Sequence, residues 1–195
     1  MRTQAIRLTL MAPVLLLLAG CFGGSYEPIE RFVLEPTPSI APGATGSDSI
    51  AMQPLDYARM YKLRMVYRGQ GHQLGYRANA EWAELPRDAV TRAVVDALRA
   101  SMRFADAGPA VEIARPTLLL TGEVRIFDED RGTDPWQARC EVRLDLRSRT
   151  DDSLVWSETF VGAEPMTGRA PEDFAAAMSA AIGELAQQVV ERFTR

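Results

Sequence analysis

The chain has 195 residues, a formal net charge of −4, one histidine and two cysteines. Such a length suits one domain with a substantial core, and the acidic balance offers no broad basic field for nucleic acid. With two cysteines, one of them in the N-terminal segment, a disulfide framework is excluded as the source of stability.

Residues 1–20 read as a targeting segment. Arg2 and Arg7 form a positive start, Leu8 to Leu18 is an apolar run, and Ala19-Gly20 supplies small residues for cleavage. The apolar run is about eleven residues, short of the roughly 20 needed to span a bilayer, so a cleaved signal peptide is expected. Leu18-Ala19-Gly20-Cys21 resembles the bacterial lipobox. That resemblance implies that the Cys21 thiol receives a diacylglyceryl group and becomes the new N-terminus. More than one acyl chain, palmitate included, would hold the protein to a membrane stably. Phe22, in place of the aspartate that retains lipoproteins of enteric-type bacteria in the inner membrane, implies the outer membrane, facing the periplasm.

Residues 21–49 are expected to be a lipidated tether and a Pro/Gly/Ser-rich linker, with a short strand at 31–34 (RFVL). The folded unit is then 50–195. Residues 49–55 read as a strand, with Pro54 at its end. Residues 62–67 alternate, with Leu63, Met65 and Tyr67 on one face, and a Gly-flanked turn holding His72 leads to a strand at 73–77. From Arg87 to Met102 the period becomes helical, with Val90, Ala93, Val94, Ala97, Leu98 and Ser101 in one stripe. Gly108-Pro109 then reads as punctuation.

Residues 118–127, 138–146 and 154–161 form an expected antiparallel meander. The first would place Leu118, Leu120, Val124 and Ile126 inward, and Leu119 and Phe127 outward with Val155. The second alternates cleanly, with Cys140 a buried small hydrophobe. Pro171, Glu172 and Asp173 open a final helix whose stripe runs from Phe174 through Met178, Ile182 and Leu185 to Phe193. The expected fold class is α+β: a single domain with an antiparallel sheet and two helices packed on one face.

Chemistry is sparse. No nucleophile elbow, metal-ligand spacing or phosphate loop occurs, so no enzyme, cofactor or metal is expected. The run Asp128-Glu129-Asp130-Arg131-Gly132-Thr133-Asp134 fails the calcium-loop spacing, and an acidic hairpin turn is expected instead. Trp82, among polar residues ahead of a helix, is either a core plug or an exposed binding anchor. Burial statistics favour the plug, and Trp82 with Glu84 are the candidate partner-binding residues.

The whole order of motifs resembles the ABC-type transport auxiliary lipoproteins, among them the paraquat-inducible (Pqi) branch. The resemblance is carried by Cys21, residues 31–36 (RFVLEP), the linker 37–49, residues 57–68 (YARMYKLRMVYR) and Trp82-Ala83-Glu84-Leu85-Pro86. It departs in having Leu-Pro for Pro-Leu and Glu81 ahead of the tryptophan. The resemblance implies a non-enzymatic docking subunit for an MCE-domain protein and its ABC permease and ATPase, which move lipids between membranes, and it admits a homo-oligomeric ring. The alternative is a periplasmic lipid-binding carrier with ligand between sheet and helices.

Overall fold

A computed structural model describes residues 27–193; the expected signal peptide, Cys21 and the rest of 1–26 lie outside them, as do 194–195. The elements in chain order are β1 (Glu30–Phe32), β2 (Ser49–Met52), β3 (Asp56–Tyr57), β4 (Arg64–Arg68), β5 (Leu74–Trp82) and α1 (Pro86–Ala100). There follow β6 (Asp106–Pro109), β7 (Leu118–Asp130), β8 (Gln137–Ser148), β9 (Leu154–Pro165) and α2 (Pro171–Arg192).

The strand β7 is the spine of a nine-stranded sheet. Along one edge it pairs antiparallel with β8, and β8 with β9, giving the expected meander. Along the other edge three short strands follow one another in parallel: β2 beside Leu118–Leu120, β3 beside Glu123–Val124 and β4 beside Glu129–Asp130. β5 pairs antiparallel with β4, and β1 adds to β5 in parallel. The sheet is therefore mixed. The long strands are antiparallel, as expected, and the parallel pairs belong to short strands whose periodicity is too brief to read. The Gly108-Pro109 punctuation is one of these, lying within β6, which pairs with β2.

Both helices follow from local signals. Proline occupies the first turn of each, where a missing N–H is harmless, and acids sit in the first turns with Arg99 and Arg192 in the last. The Asp173 carboxylate accepts a hydrogen bond from the Ala170 N–H at 2.9 Å, closing the start of α2. The apolar stripes of both helices pack on one face of the sheet, with Phe193 partly buried at the margin. On β8 the inward set Ala138, Cys140, Val142, Leu144 and Leu146 is buried, and burial pushes the Cys140 thiol pKa up. At Gly162 of β9 a Cβ would run into the Ala181 carbonyl oxygen, so α2 rests directly on the strand backbone there.

Two expectations fail for physical reasons. The β7–β8 register shifts between Val124 and Ile126, and this bulge turns every later side chain over. Phe127 is thus buried in the core and Ile126 is not, the reverse of strict alternation. A second register shift, between Arg64 and Val66, buries Met65 and Val66 together.

The segment from Val33 to Asp48 forms no helix or strand, as its composition requires, but it is not a free spacer. Leu34 is buried, and the Glu35 N–H donates to Ser179 Oγ on α2. Farther on, the N–H groups of Gly43 and Gly46 donate to the carbonyls of Ser101 and Arg103 beyond α1, and Thr45 Oγ1 donates to the Met102 carbonyl at 2.8 Å. The segment is a strap laid across the helical layer. Among the described residues, no helix is long and apolar enough to cross a membrane.

Candidate functional site

Trp82 is the core plug. Its indole is 1 % exposed and sits 5.6 Å from Phe127 and 5.2 Å from Phe174, ring centre to ring centre. It has no surface to offer a partner. Glu84 is half-buried and takes two hydrogen bonds from the Arg92 guanidinium, at 2.5 and 2.7 Å, so its charge is committed to bracing α1. That carboxylate also raises the Arg92 pKa. His72 is exposed in the β4–β5 turn.

The polar centre of the domain is one that the sequence hides. Asp128 and Glu129, expected in an acidic turn, are fully buried near the end of β7. Glu129 is held between two arginines: Arg77 Nε donates to Oε2 at 2.6 Å and Arg131 Nε to Oε1 at 2.8 Å. Asp128 Oδ2 accepts from Arg68 at 2.9 Å and from the Tyr61 hydroxyl at 3.1 Å. Burial first, then the Asp128 charge, pushes the Tyr61 pKa up to about 12, and the Asp128 hydrogen bond raises that of Arg68. Arg131 lies over the Tyr67 ring at 3.6 Å and the Trp136 ring at 4.7 Å. Burying two carboxylates this way is tolerable only because each meets a fixed cation. The acids are thereby committed to structure.

The network positions a surface. Tyr61 reaches inward from the β3–β4 loop, so its bond to Asp128 pins that loop to β7. Two backbone bonds fix it further: Tyr61 N–H to the Ala58 carbonyl at 2.9 Å, and Trp82 N–H to the Leu63 carbonyl at 2.6 Å. The pinned loop presents Met60 and Leu63 outward, and with Tyr76 of β5 and Leu85 they floor a groove of about 390 Å³. Met60, Leu63 and Tyr76 remain 38, 37 and 39 % exposed. Arg59, Lys62 and Arg64 rim the groove, and among the described residues none of them forms an ion pair; Arg64 lies 4.3 Å from the Tyr76 ring centre. This is an amphipathic surface with a single sign of charge, suited to binding and lacking any acid, base or nucleophile arrangement.

Sequence reasoning found the neighbourhood of this groove but not the groove. Residues 57–68 and Leu85 belong to the motifs singled out, yet Trp82 and Glu84 face inward or are paired. The available signal was the interleaving of Met60 and Leu63 with Arg59, Lys62 and Arg64 where the loop enters β4. Leu119, Phe127 and Val155, expected to point outward, share no common surface: they are half-buried, core and exposed respectively. The space between helices and sheet is filled by Trp82, Phe127 and Phe174.

A family model described as the ABC-type transport auxiliary lipoprotein component matches residues 32–190. No curated protein matches the chain significantly. Among solved structures, protein XCC0632 from Xanthomonas campestris, of family DUF330, is similar at 24 % identity with a TM-score of 0.72, over 83 % of this chain and 92 % of that one. An uncharacterized protein aligns at 11 % identity with a TM-score of 0.62, over 80 % of this chain and 99 % of its own. The protein CT253 from Chlamydia trachomatis aligns at 11 % identity with a TM-score of 0.50, over 76 % and 94 % of the two chains. At these identities the structural likeness establishes a shared fold.

Proposed function

The chain belongs to the ABC-type transport auxiliary lipoprotein family, and from that premise we propose that it is a non-enzymatic docking subunit of an ABC/MCE-type intermembrane lipid transport system. The observation that carries this reading is the family match across 32–190, behind a lipobox ending in Cys21. In this reading Cys21 bears the diacyl and palmitate-type acyl chains. Phe22 directs the protein to the outer membrane, and the domain faces the periplasm. Its partner is an MCE-domain protein with an ABC permease and ATPase.

The site chemistry supports a binding role. The buried acids are neutralised by arginines, the one described cysteine is buried with its thiol pKa raised, and the exposed groove offers apolar contact and positive charge. Cross-linking in intact cells, followed by affinity capture of the full-length protein from detergent-solubilised membranes, tests the proposal. MCE, permease or ATPase subunits are the expected co-purifying proteins. Repeated capture of the lipoprotein without any of them would refute the docking role.

A further inference from the structure

We infer that the groove rimmed by Arg59, Lys62 and Arg64 is a membrane-contact surface that rests on anionic phospholipid headgroups of the bilayer holding the anchor. The inference deepens the proposed function and depends on its Cys21 anchor.

The anchor's reach is short. Six peptide steps separate Cys21 from Glu27, at most about 22 Å even when fully extended. The chain meets the domain here: the Glu27 carboxylate accepts a hydrogen bond from Asn79 Nδ2 on β5 at 2.6 Å, three residues ahead of β1. The Pro/Gly-rich segment that would ordinarily lengthen such a tether lies after this point and is strapped to the helices, so it adds no reach. The domain is thus kept within a short tether's length of the bilayer, close enough for part of its surface to rest on lipid.

The groove also lies near the chain's exit. Tyr76 precedes Asn79 by three residues on the same strand, roughly 10 Å away. Arg64 stands opposite Glu81 in the β4–β5 register, and Glu81 pairs with Arg31 of β1 at 3.9 Å. The groove therefore lies within two strands of the point where the chain leaves for its anchor.

Its chemistry suits a headgroup layer. Three exposed cations, none in an ion pair among the described residues, ring an apolar floor that includes a tyrosine, the residue type favoured at bilayer interfaces. Glu27 and Glu30, beside the chain exit, are repelled by an anionic surface, so the attraction falls on the groove and gives the domain one orientation. Each cation should strengthen contact roughly fivefold, and salt should weaken it by screening.

The test uses the full-length lipidated protein carrying Leu63→Cys and an environment-sensitive fluorophore. Cys140 is buried, so the new thiol is the reactive one. A control protein carries the label at Thr150→Cys, in the β8–β9 turn at the far end of β7. Both are reconstituted into phosphatidylethanolamine vesicles with or without phosphatidylglycerol, and nitroxide-labelled phospholipid is the quencher. The expected result is strong quenching at position 63 and little at 150. Quenching at 63 should fall severalfold without phosphatidylglycerol, in Lys62→Glu, and further in the Arg59→Glu/Lys62→Glu/Arg64→Glu protein. Equal quenching at both positions in vesicles that float with the protein would overturn the inference and leave the anchor standing. A position-63 probe shielded from both nitroxide lipid and aqueous iodide would show a protein occupant, a second copy or partner, and overturn it too. Failure of the protein to float with vesicles would overturn the anchor and the inference together.

Discussion

The two charged regions of this domain are built from the same parts and behave oppositely. At the end of β7, arginines meet Asp128, Glu129 and the Tyr67 ring; in the groove, arginine and lysine meet methionine, leucine and the Tyr76 ring. The first region has its carboxylates buried and paired, and the second leaves its cations in solvent without ion-pair partners among the described residues. Partnering, not composition, separates scaffold from surface here. A buried charge must be satisfied to be tolerated, whereas an unpaired exposed charge remains available to something outside the fold.

The largest expected effect breaks the scaffold side. Glu129→Ala leaves Arg77 and Arg131 facing a carboxylate-free pocket and should cost about 3–5 kcal/mol of stability, read by urea unfolding. A cost below about 1 kcal/mol would mean the cluster is solvated rather than structural.

Tyr61→Phe removes the hydroxyl from the buried Asp128 and should cost about 1.5–3 kcal/mol. Because Tyr61 links the network to the loop, its hydrogen exchange should rise at residues 58–63 more than elsewhere. The same tyrosine gives a pH test. Its folded pKa of about 12 lies above its ordinary value of 10.0, so its neutral form favours folding at lower pH. That contribution is fully present below pH 10.0 and is lost as pH rises through about 12. Wild type should lose stability across this window by more than Tyr61→Phe does; parallel losses would contradict the buried Tyr61–Asp128 bond.

The smallest stability effect belongs to the groove. Arg59→Glu, Lys62→Glu and Arg64→Glu should each change unfolding free energy by no more than about 0.5 kcal/mol, since exposed charges contribute little. A larger destabilisation in any of them would blur the distinction between the two regions.

Much of the fold was legible because it repeats locally. The helical stripes at 90–101 and 174–189 and the alternation of 138–146 each declare a face several times over. The bulge near Arg125 was not legible, because one inserted residue leaves no periodic mark yet exchanges Ile126 with Phe127. Nor was the burial of Asp128 and Glu129, whose partners Arg68 and Arg77 lie 60 and 52 residues away in sequence. Six charged or polar residues around one glycine read as a turn until two strands bring cations to them. Trp82 was legible as a plug, while the groove depended on Tyr61 pulling its loop inward, a tertiary contact. The strap at 33–48 showed its lack of regular structure in composition, but its hydrogen bonds to the helices needed the helices in place.

Both the docking role and the groove's contact with lipid depend on an anchor six residues from the domain. Intact-mass spectrometry of the mature protein, purified from its own membranes, tests that most directly. The expected mature chain begins at Cys21 and carries the combined mass of a diacylglyceryl group and acyl modification. A mature chain with Cys21 unmodified, or one that retains residues 1–20, would contradict it.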